Sequence, residues 1–567
     1  MRFADWIDQR TGYRNLLAKA LEEPVLGGAR WAYVFGSALA FLVVIQVATG
    51  MLLAMYYSPS SREAWGSVHY ITHELTFGWF VRGLHHWAAS AVMVLLVLHM
   101  LQVFVFGAYR APREFAWWTG LALLFVMLAF ALTGYLLPWD QRGYWATRVS
   151  ASIAGTLPLI GTSLKALLQG GQDFGTLTLT RFFAVHTLVL PATLFTLLAI
   201  HLALFRRRGA TPRWDRSKAD LEARTEPFWP RQVAYDVIFS TLVFAVIFWL
   251  TLHHHGAPLE APADPSSNFP ARPEWYFLWL FELLKFLPGR WEGAGIAAFV
   301  TLLALALLLL PIIDRGGSAA PRQRRVPLAA GFGLLAGILG LTIASRTEDR
   351  QNATLKKQQR EAETAALRAF ALARLGIPPG GPEDLYQSDP LERGRRAFAE
   401  RCKVCHKAQG TGGDAAPDLT DYMSSAWVQG LLAAPSSARY YGRDPEPAMP
   451  AADVTKEELR GLASYVLSLG GQGTDAGSGA KLFEDNGCSS CHARAGEPGR
   501  SGPSLAGFGS RAWLRGVILT PGAREYFGSA NRMPSFEGRL SDAELDDLLT
   551  YLLSNRGTTA KKTGDEP

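Results

Sequence analysis

Residues 80–106 read FVRGLHHWAASAVMVLLVLHMLQVFVF, a mostly apolar segment that carries His85 and His99. A helix needs about 20 apolar residues to cross a bilayer, so this segment is long enough to span one. The separation of the two histidines matches four helical turns, which hold about 14.4 residues. Both therefore lie on one face, roughly 21 Å apart along the axis. The spacing places one imidazole towards each side of a membrane.

A second apolar segment, residues 182–205, carries His186 and His201, which are one position further apart than the first pair. A lone histidine inside a span can simply hydrogen-bond between helices. Two pairs at a four-turn spacing instead fit two bis-histidine haems stacked across the bilayer. We predict His85 and His186 as ligands of one b haem, and His99 and His201 as ligands of the other.

Glycines repeat this spacing in two further apolar segments. Gly36 and Gly50 have the same separation as His85 and His99, and so do Gly120 and Gly134. Glycine has no Cβ, so it lets a flat ring approach the helix backbone. Any one of these glycines is also compatible with ordinary helix packing. Together with the histidines, the four glycines predict a haem-binding four-helix bundle.

The composition agrees with a membrane protein that continues into a soluble part. The chain has 567 residues, of which 49% are hydrophobic and 19% charged, which excludes general disorder. We predict an all-α fold: a transmembrane bundle whose first four spans bind two b haems, followed by two small soluble domains. The seven predicted spans are 31–57, 80–106, 117–137, 182–205, 233–252, 296–313 and 326–344.

The basic residues predict the orientation of the chain. Lys and Arg number 56 against 49 Asp and Glu, with clusters in short loops such as 206–208 and 322–325. Loops rich in Lys and Arg stay in the cytoplasm, so these clusters indicate membrane orientation and not nucleic-acid binding. An odd number of spans then places the C-terminal part in the periplasm of a bacterium, and the protein in its inner membrane. The first span, which begins at Trp31, is predicted to be uncleaved.

Two CxxCH motifs are the only cysteine-containing segments. The pattern is typical of covalent c-type haem, because two thiols reach the two vinyl groups and the adjacent histidine is the proximal ligand. A zinc site would lack its remaining ligands, and a thioredoxin-like dithiol would not require the histidine. The predicted attachment residues are Cys402, Cys405 and His406 for the first haem, and Cys488, Cys491 and His492 for the second.

A methionine follows each motif at a similar distance. Met449 follows His406 and Met533 follows His492, at separations that differ by only two positions. A thioether ligand raises the potential of haem iron, so we predict these two as distal axial ligands. A plain core methionine is the alternative in each case, and Met423 is a rival ligand in the first repeat.

The sequence divides into five predicted segments. Between the last span and the first CxxCH motif it becomes charged and Ala-rich, which predicts an exposed linking helix that acts as a spacer. The segments are 1–225 (haem-b-binding), 226–345 (three spans), 346–382 (linker helix), 383–470 (first cytochrome c domain) and 471–567 (second cytochrome c domain and tail).

Several phrases resemble cytochrome b of the cytochrome bc complexes. Residues 31–206 are similar to its haem-bearing half, with Gln-Val-Ala-Thr-Gly at 46–50 and Pro-Trp-Asp-Gln at 138–141. The longer spacing of His186 and His201 resembles the chloroplast and cyanobacterial bf-type branch. Residues 226–345 resemble subunit IV of that branch, with Pro-Glu-Trp-Tyr at 273–276 as its quinol-site motif. Residues 383–555 resemble a tandem class I dihaem cytochrome c.

The resemblance implies a fused subunit of a quinol–cytochrome c oxidoreductase that translocates protons. Quinol is expected to bind near the catalytic residues Glu274 and Tyr276, beside an interfacial helical element at 140–165. One electron is expected to pass to a Rieske centre and the c haems, and the other to cross through the two b haems and reduce quinone. Implied partners are membrane quinone, a downstream cytochrome c or terminal oxidase, and a second copy of the complex. Weak candidates for the quinone-reduction site are Arg207, Lys218 and Asp220.

Three departures from the family pattern bear on this expectation. Val34 stands where the bf-type branch has the cysteine of an extra haem, so no additional covalent haem is expected. Gln102 stands where many relatives have arginine, which predicts an altered haem-propionate contact. All four cysteines belong to the CxxCH motifs, so the Rieske iron–sulfur protein must be a separate subunit.

Two alternative functions remain at this point. The chain could be a non-catalytic membrane wire between redox partners, or a dihaem b anchor for a dehydrogenase. Both leave the Pro-Glu-Trp-Tyr motif unexplained. For Glu274 itself the alternative is a capping role, since a carboxylate is favoured at the N-terminus of the helix that follows it.

Overall fold

A computed structural model of the chain shows two compact units, Met1–Glu383 and Asp384–Pro567. The structure describes residues 3–157, 160–171, 173–265, 267, 269–287, 289, 292–387, 389–408, 410–442, 449–472, 477–494 and 501–556.

Within the described residues, seven helices of the first unit are long and apolar enough to span a membrane. This confirms the predicted number of spans and the all-α class. The observed helices begin or end within a few residues of the predicted ones, except that the fourth and seventh extend further. The spans are Trp31–Ala54, Gly78–Phe106, Glu114–Leu136, Thr176–Arg208, Arg231–His253, Gly293–Ile313 and Arg325–Gln351.

The fourth span contains one π-helical turn, Val185–Val189, between two α-helical parts. Pro191 lies at the start of the second part. Proline has no N–H to donate to the preceding turn, which favours a local change in the hydrogen-bond register. A π turn accommodates one extra residue. The longer spacing of His186 and His201 therefore covers the same number of turns as the spacing of His85 and His99.

Shorter helices lie between the spans. Ala64–His73 follows the first span, and Gln141–Gly155 and Gly161–Gln169 follow the third. Asp140 caps the second of these helices by accepting from the backbone N–H of Gly143 at 2.8 Å. The predicted helical element at residues 140–165 is thus confirmed. The other helices of this unit are Phe3–Thr11, Tyr13–Leu21, Lys218–Ala223 and Leu278–Leu284, and the strands Pro24–Val25 and Glu226–Pro227 pair antiparallel.

The linker helix, Ala353–Ala373, is present but is not an exposed spacer. Its side chains at Leu355, Ala366 and Ala369 are buried in the first unit. The ring of Phe370 stacks on Trp65, with centroids 6.0 Å apart. The prediction of an exposed helix holds for its outer face only, because an Ala- and Glu-rich composition does not reveal a docked face.

The second unit contains both CxxCH repeats. Its helices are Pro390–Arg401, Ser425–Ala433, Ala438–Tyr441, Lys456–Ser468, Ser478–Asp485, Arg511–Leu519 and Asp542–Ser554, with one two-stranded hairpin, Lys407–Ala408 and Thr411–Gly412. Each repeat begins with a helix that leads into its CxxCH motif and ends with a closing helix.

The opening and closing helices pack across the two repeats. Pro390–Arg401 of the first repeat packs against Asp542–Ser554 of the second, and Ser478–Asp485 of the second packs against Lys456–Ser468 of the first. In the first pairing the rings of Phe398 and Tyr551 lie 5.5 Å apart. The two repeats therefore share one hydrophobic core.

Candidate functional site

Each of the four span histidines faces one of the four glycines. A methyl group built on Gly50 would lie 3.2 Å from Cε1 of His85, and one on Gly134 would lie 2.7 Å from Cε1 of His186. The corresponding distances are 3.3 Å from Gly120 to His201 and 3.5 Å from Gly36 to His99. The glycines thus leave space beside the imidazole rings that any larger residue would fill.

Three threonines that the sequence interpretation missed hold three of these rings. Nδ1 of His85 lies 2.9 Å from Oγ1 of Thr49. The equivalent distances are 3.0 Å for His186 and Thr133, and 3.1 Å for His201 and Thr119. Each threonine directly precedes one of the glycines, which is a signal that the sequence does contain.

The threonine hydroxyls determine which ring nitrogen is free. The hydroxyl of Thr49 donates to the carbonyl of Ile45 at 2.6 Å. It therefore acts as acceptor towards His85, whose Nδ1 carries the proton. Nε2 keeps its lone pair, the state in which imidazole binds iron. The described residues thus fit a bis-histidine haem on the side of His85 and His186.

His99 differs from the other three histidines. The residue before its facing glycine is Phe35, and Nδ1 of His99 is buried without a hydrogen-bond partner among the described residues. The ring of His201 across from it does have its threonine partner. The two predicted haem sites are therefore not equivalent in the support that they give their ligands.

The CxxCH histidines are held in the same way by proline carbonyls. Nδ1 of His406 donates to the carbonyl oxygen of Pro417 at 2.8 Å, and Nδ1 of His492 donates to that of Pro503 at 2.9 Å. Each proline follows its histidine at the same separation along the chain. This leaves Nε2 of both rings as the iron-binding atom, which fits covalent c-type haem.

Cys402 and Cys488 adjoin the shared core, and Met449 and Met533 pack against it from partly buried positions. None of the four cysteines is paired in a disulfide. The rival Met423 is only 2% exposed. Its Sδ lies 3.3 Å from the position of a Cβ on Gly509, in the other repeat.

Glu274 lies on the wall of two cavities. The larger, of about 1040 Å³, is lined on one side by apolar residues of the second and fifth spans, among them Val94, Leu95, Val246 and Leu250. The smaller, of about 520 Å³, is lined by polar groups that include Tyr135, Arg142 and Glu260. Glu274 thus lines both a mainly apolar chamber and a more polar cavity.

The environment of Glu274 favours its protonated form. Burial raises the pKa of the Glu274 carboxyl above its ordinary value, against the opposing effect of the Arg142 guanidinium. Arg142 is itself engaged, because its guanidinium donates to Glu260. A hydrogen bond from the backbone N–H of Trp275 acts against this rise in the pKa of Glu274, so the capping alternative remains for this side chain.

The other sequence candidates are distributed unevenly. Tyr276 lies in the turn after Glu274, but it is not among the described residues that line the two cavities. Burial, then the negative charge of Glu274, raises the pKa of the Tyr276 hydroxyl.

The weak candidates for the quinone-reduction site do not lie together. Asp220 is engaged in ion pairs with Arg216 and Arg224, and Lys218 is almost fully exposed. Arg207 is exposed as well. The structure does not gather these three into a site.

The first unit carries paired span histidines that face glycines, and the second carries two CxxCH repeats. Together these features define a membrane-bound cytochrome with b-type and c-type parts. The comparisons agree along the chain. Family models match residues 22–209 as cytochrome b/b6/petB, 262–361 as cytochrome b(C-terminal)/b6/petD, and 391–470 and 476–556 as cytochrome c.

Known proteins match as well. The menaquinol:cytochrome c reductase cytochrome b subunit of Bacillus subtilis is 46% identical over 213 residues, which are 36% of this chain and 95% of the relative. A cytochrome bc complex cytochrome b subunit of Chlorobaculum thiosulfatiphilum is 35% identical over 341 residues, which are 59% and 77% of the two chains. A solved structure, titled hyperthermophilic respiratory complex III, aligns with a TM-score of 0.54 at 29% identity, over 65% of this chain and 97% of that one.

The chain belongs to the cytochrome b family of the quinol–cytochrome c oxidoreductases. It joins the haem-bearing and C-terminal parts of cytochrome b to cytochrome c domains in one polypeptide. It is a membrane protein that binds haem b and haem c and acts within a multi-subunit complex.

Proposed function

We propose that this chain oxidises membrane quinol beside Glu274. The observation that supports this most is that Glu274 lines both a mainly apolar chamber large enough for a quinol ring and a more polar cavity. A mainly apolar chamber with polar groups at one end, here Arg142, Arg272 and Asp349 among others, is a common form of small-molecule site. A carboxylate with a raised pKa is suited to take a proton from a bound hydroxyl near neutral pH.

The proton chemistry follows from the residues around Glu274. The carboxylate accepts a proton from quinol, becomes neutral, and is then more stable in its buried position. Rotation towards the polar cavity returns the proton to water. Arg142 favours the charged form after release, and its pairing with Glu260 keeps that guanidinium in place. Tyr276, which lies in the turn after Glu274 but does not line either cavity, is proposed as the second catalytic residue of the quinol site.

Two b haems and two c haems are proposed as cofactors. The b ligands are His85 with His186 on the periplasmic side and His99 with His201 on the cytoplasmic side, while Gly36, Gly50, Gly120 and Gly134 provide the space beside the rings. The c haems are attached at Cys402, Cys405 and His406, and at Cys488, Cys491 and His492, with Met449 and Met533 as distal ligands. When bound, these groups supply one-electron transfer between quinol, the partners and the opposite membrane face.

The partners and location are also proposals. A separate Rieske iron–sulfur protein takes the first electron, since the four cysteines of this chain belong to its CxxCH motifs. The complex is a dimer in a bacterial inner membrane, with the cytochrome c domains in the periplasm. A downstream cytochrome c or terminal oxidase receives the electrons.

Purification of the complex from its native membrane tests these proposals together. We expect a Rieske protein to co-purify, quinol–cytochrome c reductase activity, and a one-to-one ratio of extractable to covalent haem in a pyridine haemochrome assay. A ratio other than one to one contradicts the haem assignment. An alkaline phosphatase fusion after residue 555 is expected to be active and one at Gly209 inactive, and the reverse result contradicts the orientation.

A further inference from the structure

The linker helix forms part of the wall of the polar cavity beside Glu274. Gln359, Glu363 and Ala366 line that cavity together with Glu274. Their spacing of three to four residues places them on one face of the helix. A segment that joins the spans to the cytochrome c repeats therefore contributes side chains to the proposed quinol site.

Aromatic packing holds the linker helix in this position. The ring of Phe370 stacks on Trp65 and lies 5.2 Å from His73. Trp65 is fully buried, and its Nε1 donates to the carbonyl oxygen of Glu260 at 2.8 Å. The helix is thus packed on Trp65, which in turn bonds Glu260 of the cavity wall.

Ion pairs attach the segment that carries Glu274 to the end of the seventh span. The guanidinium of Arg272, two residues before Glu274, donates to Asp349 near the end of the seventh span. Nζ of Lys285 donates to Glu348 at 2.6 Å. Since the linker helix begins directly after the seventh span, these pairs keep its first turns close to the segment that carries Glu274.

Three carboxyl groups line the polar cavity, and they differ in their surroundings. Glu260 is bound to Arg142, and Glu274 is largely buried. Glu363 is exposed to solvent at the same cavity. The charged and titratable groups that face this space are Tyr135, Arg142, Glu260, Arg272, Glu274 and Glu363.

We propose that Glu363 of the linker helix is the outer proton acceptor for Glu274. This proposal rests on the proposed function of Glu274. The neutral Glu274 acid gives its proton, through water in the polar cavity, to the Glu363 carboxylate. Glu274 becomes a carboxylate again and Glu363 a carboxylic acid, which then releases the same proton to bulk water. No electron moves in this step, and Glu363 acts only through Glu274.

Four variants of the intact complex test this relay: Glu363→Gln, Glu363→Asp, Glu361→Gln and Glu274→Gln. Glu361 is the matched control, since it lies on the solvent side of the same helix in an ion pair with Lys357. We expect Glu363→Gln to lower kcat about threefold or more at pH 6, with the KM for quinol unchanged. The deficit is expected to shrink towards pH 9, where water and hydroxide accept the proton more readily. Glu363→Asp is expected to restore the rate, and Glu361→Gln to match the wild type.

The outcomes separate this proposal from the one on which it rests. Wild-type turnover in Glu363→Gln, with slow turnover in Glu274→Gln, overturns the relay and leaves the role of Glu274 intact. Wild-type turnover in both variants overturns the role of Glu274 itself. A deficit in Glu363→Gln that is the same at every pH, and is not restored by Glu363→Asp, indicates a structural effect and also overturns the relay.

Discussion

The hydroxyl of Thr49 lies 2.9 Å from Nδ1 of His85, and the next residue, Gly50, faces Cε1 of the same ring. One dipeptide thus determines both the tautomer of the imidazole and the space beside it. The same arrangement recurs at Thr119-Gly120 and Thr133-Gly134. Hydrogen bonds of this kind orient metal-binding histidines and increase their basicity.

Replacement of Thr49 by valine is expected to weaken one haem site without removing it. Valine keeps the shape of threonine but cannot accept from Nδ1 of His85, so the ring becomes a weaker donor to iron. We expect a higher midpoint potential for that b haem, and about tenfold weaker haem retention. Redox titration of the b absorption bands measures the shift. Thr193→Val is the control, because the exposed Thr193 bonds only its own helix backbone, and a shift of equal size there contradicts the assignment.

Gly134→Ala is expected to remove the b haem that is proposed at His85 and His186. The added methyl would lie 2.7 Å from Cε1 of His186, too close for the ring to stay in place. Alanine is favoured over glycine in a helix by about 1 kcal/mol, so a loss of haem cannot come from a lower helix propensity. The expected result is half the extractable haem with unchanged covalent haem. A methyl group on Gly337 in the seventh span would have nothing within 4 Å, so Gly337→Ala should keep all of the extractable haem. Equal losses of extractable haem in both variants would argue against a role of Gly134.

Glu274→Gln tests the proton acceptor directly. Glutamine keeps the shape but cannot take up a proton, so quinol oxidation is expected to slow by about tenfold or more, with little change in haem content. In the wild type the carboxylate is the active form, and burial raises its pKa. Activity should therefore rise with pH through that raised pKa, and this rise should disappear in the variant. Wild-type rates from pH 6 to 9 would exclude the role.

Much of the bundle could be predicted because its constraints are periodic. His85, His99, Gly36 and Gly50 repeat at four helical turns, and a span is visible as an apolar run. The π turn in the fourth span could not be predicted, since it depends on how the helix responds to Pro191. The docked face of the linker helix depends on a long-range contact between Phe370 and Trp65 that no local pattern contains.

The crossed packing of the cytochrome c repeats could not be predicted from the sequence for a different reason. Gly394 and Phe398 in the first repeat match Gly479 and Phe483 in the second, so either opening helix suits either closing helix. The sequence pattern is the same for both pairings, and only the structure distinguishes them.

His69 is expected to make the docking of the linker helix sensitive to acid. Its ring is buried against Trp65 and Phe370, and neither nitrogen has a hydrogen-bond partner among the described residues. Burial, then the charges of His73 and Arg374, lowers the pKa of His69 to about 4. The undocked state binds a proton more tightly, so docking is complete above the ordinary pKa of about 6.5 and weakens as the pH falls towards 4.

Hydrogen–deuterium exchange of residues 353–373, corrected for intrinsic rates, measures this effect. Protection is expected to fall between pH 6.5 and 4.5 in the wild type and in His253→Gln, since His253 is exposed. His69→Phe keeps an aromatic ring between its neighbours and should remove the pH dependence. Unchanged protection in the wild type across this range would contradict the assignment to His69.

The crossed pairing of the repeats predicts an energetic coupling between Arg393 and Asp547. The guanidinium of Arg393, in the opening helix of the first repeat, donates to both carboxylate oxygens of Asp547, in the closing helix of the second, at 2.6 and 3.0 Å. Asp547 is buried, whereas Arg393 is half exposed, so the pair is expected to contribute about 1 kcal/mol. Arg393→Ala and Asp547→Ala should each lower the Tm of the C-terminal unit by about 2 to 4 °C. The double variant should lower the Tm by little more than either single variant does.

Glu457→Ala is the control, because Glu457 lies on the closing helix of the first repeat and pairs with Arg460. The effects of Arg393→Ala and Glu457→Ala on the Tm should add. Additive effects of Arg393→Ala and Asp547→Ala would mean that each repeat packs on its own closing helix.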